Sequence, residues 1–133
     1  MREYLTLIVE EYTLLQIGID DKIPMTLWIN ARNKGFSGIG KIELDTLSFE
    51  NLKKQIHNFS NREVNDVLVN DLNVASYYLY FNRIKDNIVI RGKIGDYDNQ
   101  TLEFYFNKVD ENLINYEEII AFVNKIKKFK DFK

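Results

Sequence analysis

The 133-residue sequence contains no cysteine, one proline, one histidine and only six glycines. Without cysteine there is no disulfide framework, no zinc ribbon and no thiol nucleophile. The absence is compatible with a reducing compartment, and the chain is read as cytoplasmic. The single histidine, His57, falls in a stretch of helical periodicity about 100° round from Ile56, on the flank of its apolar stripe. It is read there as a surface residue, so a Ser-His-Asp or Cys-His arrangement lacks its base. The apolar runs Leu5–Val9 and Ile119–Val123 fall far short of the roughly 20 residues that cross a bilayer. Glu10 and Glu11 break the first run, so no signal peptide and no membrane partner are expected. No Pro-, Ser- or Gly-rich stretch divides the chain and no period repeats, so residues 1–133 are expected to form one domain. A chain of this length buries enough surface to hold a core without metal or crosslink.

What is present is charge, unevenly placed, and a strong period-2 pattern. Lys+Arg 18 nearly balance Asp+Glu 20. Residues 121–133, however, carry Lys125, Lys127, Lys128, Lys130 and Lys133 against Asp131, which leaves an acidic body with a basic end. Alternation places strands at Thr13–Ile19, Met25–Arg32, Lys41–Leu44, Asp66–Leu72, Ser76–Ile84, Ile88–Gly95 and Gln100–Asn107. The last three form a meander through Lys85-Asp86-Asn87 and Asp96-Tyr97-Asp98-Asn99, where Asn and Asp tolerate left-handed backbone. In Asp66–Leu72 the buried face is undecided between Val67 with Val69 and Leu68 with Leu72.

Two stretches switch to helical spacing. The first runs from Phe49 to Phe59, with Ser48 as N-cap, Leu47 stapled onto Leu52, and Phe49, Leu52, Ile56 and Phe59 on one face. The second runs from Tyr116 to about Phe129, capped by Asn115 with Glu118 reaching back. Its stripe is Ile119, Ile120, Val123 and Ile126, and the lysines of its last turn suit the helix dipole. The fold class is therefore α+β: a bent antiparallel sheet of about seven strands with one inserted helix and a C-terminal helix packed on its apolar face.

Motifs for catalysis and metal binding are incomplete. The carboxylate pairs Glu10-Glu11, Asp20-Asp21 and Asp110-Glu111 fall at strand ends or loops, where solvated acids are the default. Asp96-Tyr97-Asp98-Asn99-Gln100 opens like a calcium loop but lacks the glycine at the sixth place and the twelfth-position ligand. Gly35-Phe36-Ser37-Gly38-Ile39-Gly40-Lys41 lacks the following Ser or Thr and helix of a phosphate loop, and is read as a sharp positive-φ turn. No catalytic residue, metal or cofactor is expected, and the chain is not read as an enzyme. Direct nucleic-acid binding is disfavoured by the acidic body, despite Phe129 and Phe132 among the terminal lysines.

The most informative feature is the face opposite the core. If Leu27, Ile29, Leu79, Phe81, Ile88, Ile90, Leu102, Phe104 and Phe106 point inward, alternation sends Trp28, Tyr78, Tyr80 and Tyr105 outward with Arg32, Arg91, Lys93 and Glu103. Trp, Tyr and Arg bury large area at low entropic cost and retain a hydrogen-bonding handle, so this face is a candidate protein-binding surface. The alternative is that cross-strand aromatic pairs stabilise a solvated sheet, or that a helix covers them. Asp96 and Asp98, with Glu63, Asp66 and Asp71, offer acidic loops for a basic partner.

The order of elements, with Gly35, Phe36 and Gly38, the helix beginning Ser48-Phe49-Glu50-Asn51-Leu52, Gly92, Gly95 and the strand Leu102-Glu103-Phe104-Tyr105-Phe106, resembles the WapI-type immunity protein family over about residues 12–128. The resemblance implies a cytoplasmic bacterial antitoxin that binds and blocks the C-terminal domain of a secreted toxin, often a nuclease. It transfers no residue-level site. A second reading from another class is a small-molecule carrier whose curved sheet encloses a pocket lined by Tyr78, Tyr80 and Trp28. A homodimer through the aromatic face stays open beside both.

Overall fold

The structure, a computed structural model, describes residues 3–10, 13–20, 25–33, 36–85, 87–95, 101–111, 114 and 116–125. Among the described residues, eight strands and two helices follow in the order β1 (Glu3–Glu10), β2 (Thr13–Asp20), β3 (Met25–Asn33), β4 (Phe36–Leu44), α1 (Thr46–Ser60), β5 (Asp66–Asn70), β6 (Tyr78–Ile84), β7 (Asn87–Gly95), β8 (Thr101–Asp110) and α2 (Tyr116–Lys125). All strand pairs are antiparallel. β1–β4 form one meander and β5–β8 another, and among the described residues one pair, Lys41 opposite Gly95, joins them into one open sheet. The architecture is α+β, as the alternation implied, with one strand more than expected. The added strand is β1, where Leu7, Ile8 and Val9 follow one another without alternation; such a run does not declare a strand by itself.

At the junction β7 changes partner. It pairs with β6 as far as Lys93 and then with β4 at Gly95. Beyond Lys41, β4 is met by the loop after β5: the Glu43 N–H donates to Asp71 Oδ1 at 2.7 Å, and the Leu72 N–H donates to the Glu43 carbonyl at 2.9 Å. Gly38 and Gly40 are not in a turn, and neither has a positive φ; they lie inside β4. A Cβ on Gly40 would come within 2.9 Å of Ile94 Cβ, so its hydrogen lets β4 pass close over β7.

The inward faces of both meanders and α1 share one core. Leu27, Ile29 and Ile42 meet Ile90, Ile94, Phe104 and Phe106, and Phe49, Leu52 and Phe59 close it from α1, with Ile119 and Tyr116 of α2 packed against its edge. A bulge in the β7–β8 pairing turns both Phe106 and Val109 inward although they are three apart. Val67 and Val69 are buried while Leu68 and Leu72 are exposed, which decides the face of β5.

The cap of α1 differs from expectation. Asp45 caps α1, its Oδ1 accepting the Ser48 N–H at 2.7 Å, so Ser48 lies inside the first turn. Asp is as good a cap as Ser and stands one turn earlier, adding a turn to the helix. Leu47 is consequently helical and 78% exposed, and no staple forms with it. Both helices lie on the core side of the sheet, and among the described residues α1 supplies more of the core than α2. Asn115, Ile126 and the terminal lysines after Lys125 lie outside the described residues, as do Gly35 and Asp86. In the turn after β6 it is Lys85, at φ 59°, that takes left-handed backbone.

Candidate functional site

Strand register builds the outer face of β5–β8 as rows across four strands. Leu68, Tyr80, Arg91 and Tyr105 stand directly opposite one another in one row, and Asn70, Tyr78, Lys93 and Glu103 in the next. Their chain neighbours Val67, Val69, Leu79, Ile90, Phe104 and Phe106 fill the core, so alternation obliges the rows to face away from both helices. Leu68 is 44% exposed and Tyr105 47%. Arg91 stacks on Tyr80, its Cζ 5.2 Å from the ring centroid. The Tyr80 hydroxyl donates to Asp66 Oδ2 at 3.4 Å. Partial burial, then the Asp66 charge and hydrogen bond, raise the Tyr80 pKa, and the Arg91 charge opposes them. Lys93 Nζ lies 3.7 Å from Glu103.

Tyr78, Tyr80, Arg91 and Tyr105 are thus brought together, whereas Trp28 and Arg32 belong to the other meander. Trp28 is half-buried between Gly18 of β2 and Lys41 of β4, and Arg32 is exposed opposite Leu14 and Ser37. Asp96 and Asp98 lie outside the described residues. Asp71 is not an acid offered for docking, because its carboxylate accepts the backbone N–H groups of Glu43, Asn73 and Val74 at 2.7–2.8 Å and holds the β5–β6 loop.

A second constellation was not anticipated. Asp110-Glu111 is not a solvated pair, since Glu111 is buried. Its carboxylate accepts from Arg83 Nε at 2.9 Å, Arg62 Nη2 at 2.8 Å and the Tyr116 hydroxyl at 2.7 Å. The Arg83 guanidinium also donates to the carbonyls of Phe59 and Val64 and lies 4.1 Å from the Phe59 ring centroid. Burial pushes the Glu111 carboxyl up, but bonds from Tyr116 and Arg83 and the two arginine charges outweigh it and hold its pKa below the ordinary value. Tyr116 is pushed up to about 12 by burial and by its bond to Glu111. The cluster ties the end of α1, β6 and the start of α2 together. One signal could have found it: Arg83 shares the inward parity of Leu79 and Phe81, and an inward charge requires a partner.

Among the described residues no three His, Cys, Asp or Glu side chains are grouped as a metal site. No described helix is long and apolar enough to cross a membrane. Comparison with models of known protein families gave no match, and comparison with curated proteins gave none either.

Proposed function

We propose that this chain is a bacterial immunity protein that neutralises the C-terminal domain of a secreted toxin by binding it, performing no chemistry itself. The observation that carries the reading is the row Leu68, Tyr80, Arg91 and Tyr105, two tyrosines, an arginine and a leucine in direct register on the sheet face away from both helices. Such residues form binding hot spots, and their presentation on four paired strands means little ordering is required on docking. The resemblance to the WapI-type immunity proteins, read from the order of elements and the glycine and aromatic positions, points the same way. Asp96 and Asp98, in the segment between β7 and β8, would add steering toward a basic toxin such as a nuclease.

The test uses the C-terminal domain of the secreted protein that this reading places beside the gene. Association and dissociation rates are measured by surface plasmon resonance at two salt concentrations. Tyr80→Ala should chiefly speed dissociation, whereas neutralising Asp96 and Asp98 together should slow association and weaken its salt dependence. Failure of the wild-type chain to bind that domain sinks the reading.

A further inference from the structure

Arg91 lies in the middle of the outer face, with Tyr80 directly opposite on one neighbouring strand and Tyr105 on the other. The other charges around it have contacts of their own. Lys93 is paired with Glu103 at 3.7 Å, and Asp66 accepts the Tyr80 hydroxyl. Arg91 differs: its guanidinium lies against the Tyr80 ring, and among the described residues no oxygen takes a hydrogen bond or ion pair from it. A contact between the guanidinium and a ring takes no hydrogen bond from it, so the fork of N–H donors that matches a carboxylate stays available. The stack also restricts the long side chain beforehand, so less freedom is lost on binding.

The flanking residues decide what can dock. Leu68 and Tyr105 are exposed on either side of the Tyr80–Arg91 pair. A surface that covers them also strips water from Arg91, and a desolvated cation without a counter-charge is strongly unfavourable. A partner that buries this row therefore supplies an anion at its centre. We infer that the face recognises one aspartate or glutamate side chain of its protein partner, held bidentately by Arg91 between the rings of Tyr80 and Tyr105. This rests on the immunity reading and specifies what the toxin surface must present.

A nucleic-acid strand fits less well. A phosphodiester chain needs a succession of cations along its path, whereas here Lys93 is already paired and Asp66 and Glu103 stand in adjoining positions. One anionic group is accommodated, and exposed Leu68 supplies the apolar flank of a protein contact.

The experiment is isothermal titration of the same toxin domain against the wild-type chain and the exposed-site variants Arg91→Gln, Arg91→Lys and Arg91→Glu, each checked for native near-ultraviolet circular dichroism. Arg91→Gln should weaken binding about tenfold or more. Arg91→Lys should lose most of that too, because charge without the fork and stack is not equivalent. Arg91→Glu should lose binding, and reversing one carboxylate of the toxin to arginine should restore it. Wild-type affinity in Arg91→Gln and Arg91→Glu overturns the inference while leaving the immunity reading intact. So does the failure of every single toxin charge reversal to rescue Arg91→Glu. No binding by the wild-type chain overturns the reading and the inference with it. A single-stranded RNA oligonucleotide bound by the wild type and released by Arg91→Gln would replace the carboxylate with a phosphate ligand.

Discussion

Replacing Glu111 with leucine strands a buried cation. Arg83, with 3% of its side chain exposed, keeps the Phe59 and Val64 carbonyls but loses its counter-ion, and the Tyr116 hydroxyl loses its acceptor. Breaking one partner of a buried pair costs about 3–5 kcal/mol, a large share of the roughly 5–15 kcal/mol that holds a domain folded. Arg62 adds little, because its side chain is 62% exposed. Replacing Arg83 with methionine in the same chain removes the stranded charge. The Phe59 carbonyl retains the Arg62 N–H at 3.2 Å, so the main new defect is the Val64 carbonyl, at about 1–3 kcal/mol. The double variant Arg83→Met/Glu111→Leu should therefore be more stable than Glu111→Leu alone by about 1–3 kcal/mol, although it carries a second core substitution. Urea unfolding at neutral pH, with midpoints compared at equal slope, measures this. A double variant no more stable than Glu111→Leu would refute the picture of a charge compensated chiefly by its carboxylate.

Tyr116 has its pKa raised to about 12, so the stability it contributes is complete below the ordinary tyrosine pKa and is lost as pH rises from there through about 12. Alkaline titration of tyrosinate absorbance should show a late step that Tyr116→Phe removes. Gln55 donates to the Leu68 carbonyl and accepts its N–H, closing the free edge of β5. In Gln55→Ala, amide exchange at Leu68 should quicken, at a cost of about 1 kcal/mol; unchanged exchange would count against this edge protection. Arg62 ends α1 at φ 63°, where glycine is favoured. Arg62→Gly should lie within about 1 kcal/mol of wild type in chemical denaturation, since relief of backbone strain offsets loss of an ion pair whose arginine is exposed and whose carboxylate keeps Arg83 and Tyr116. Gly40→Ala should cost about 1–3 kcal/mol by forcing β4 away from Ile94, and a thermal midpoint equal to wild type would contradict that close approach.

Sequence alone determined whatever depends on parity along one strand. Leu27 and Ile29 inward, Leu79 inward with Tyr78 and Tyr80 outward, and Phe104 and Phe106 on either side of Tyr105 all follow from period-2 alternation, because a one-residue slip would expose the whole apolar set. The buried faces of α1 at Phe49, Leu52 and Phe59 were legible for the same reason at helical period. Tertiary structure decided which outward residues meet. Trp28 and Tyr80 share an outward parity, yet the sheet is built of two meanders joined at Lys41 and Gly95, and they belong to different ones. Gly40 reads as a turn until Ile94, far along the chain, is placed over it. Glu111 reads as solvated until Arg83, 28 residues earlier, turns inward beside it. Parity is a local property of the chain, but a close backbone approach and a compensated charge each need a partner that only the folded arrangement brings near.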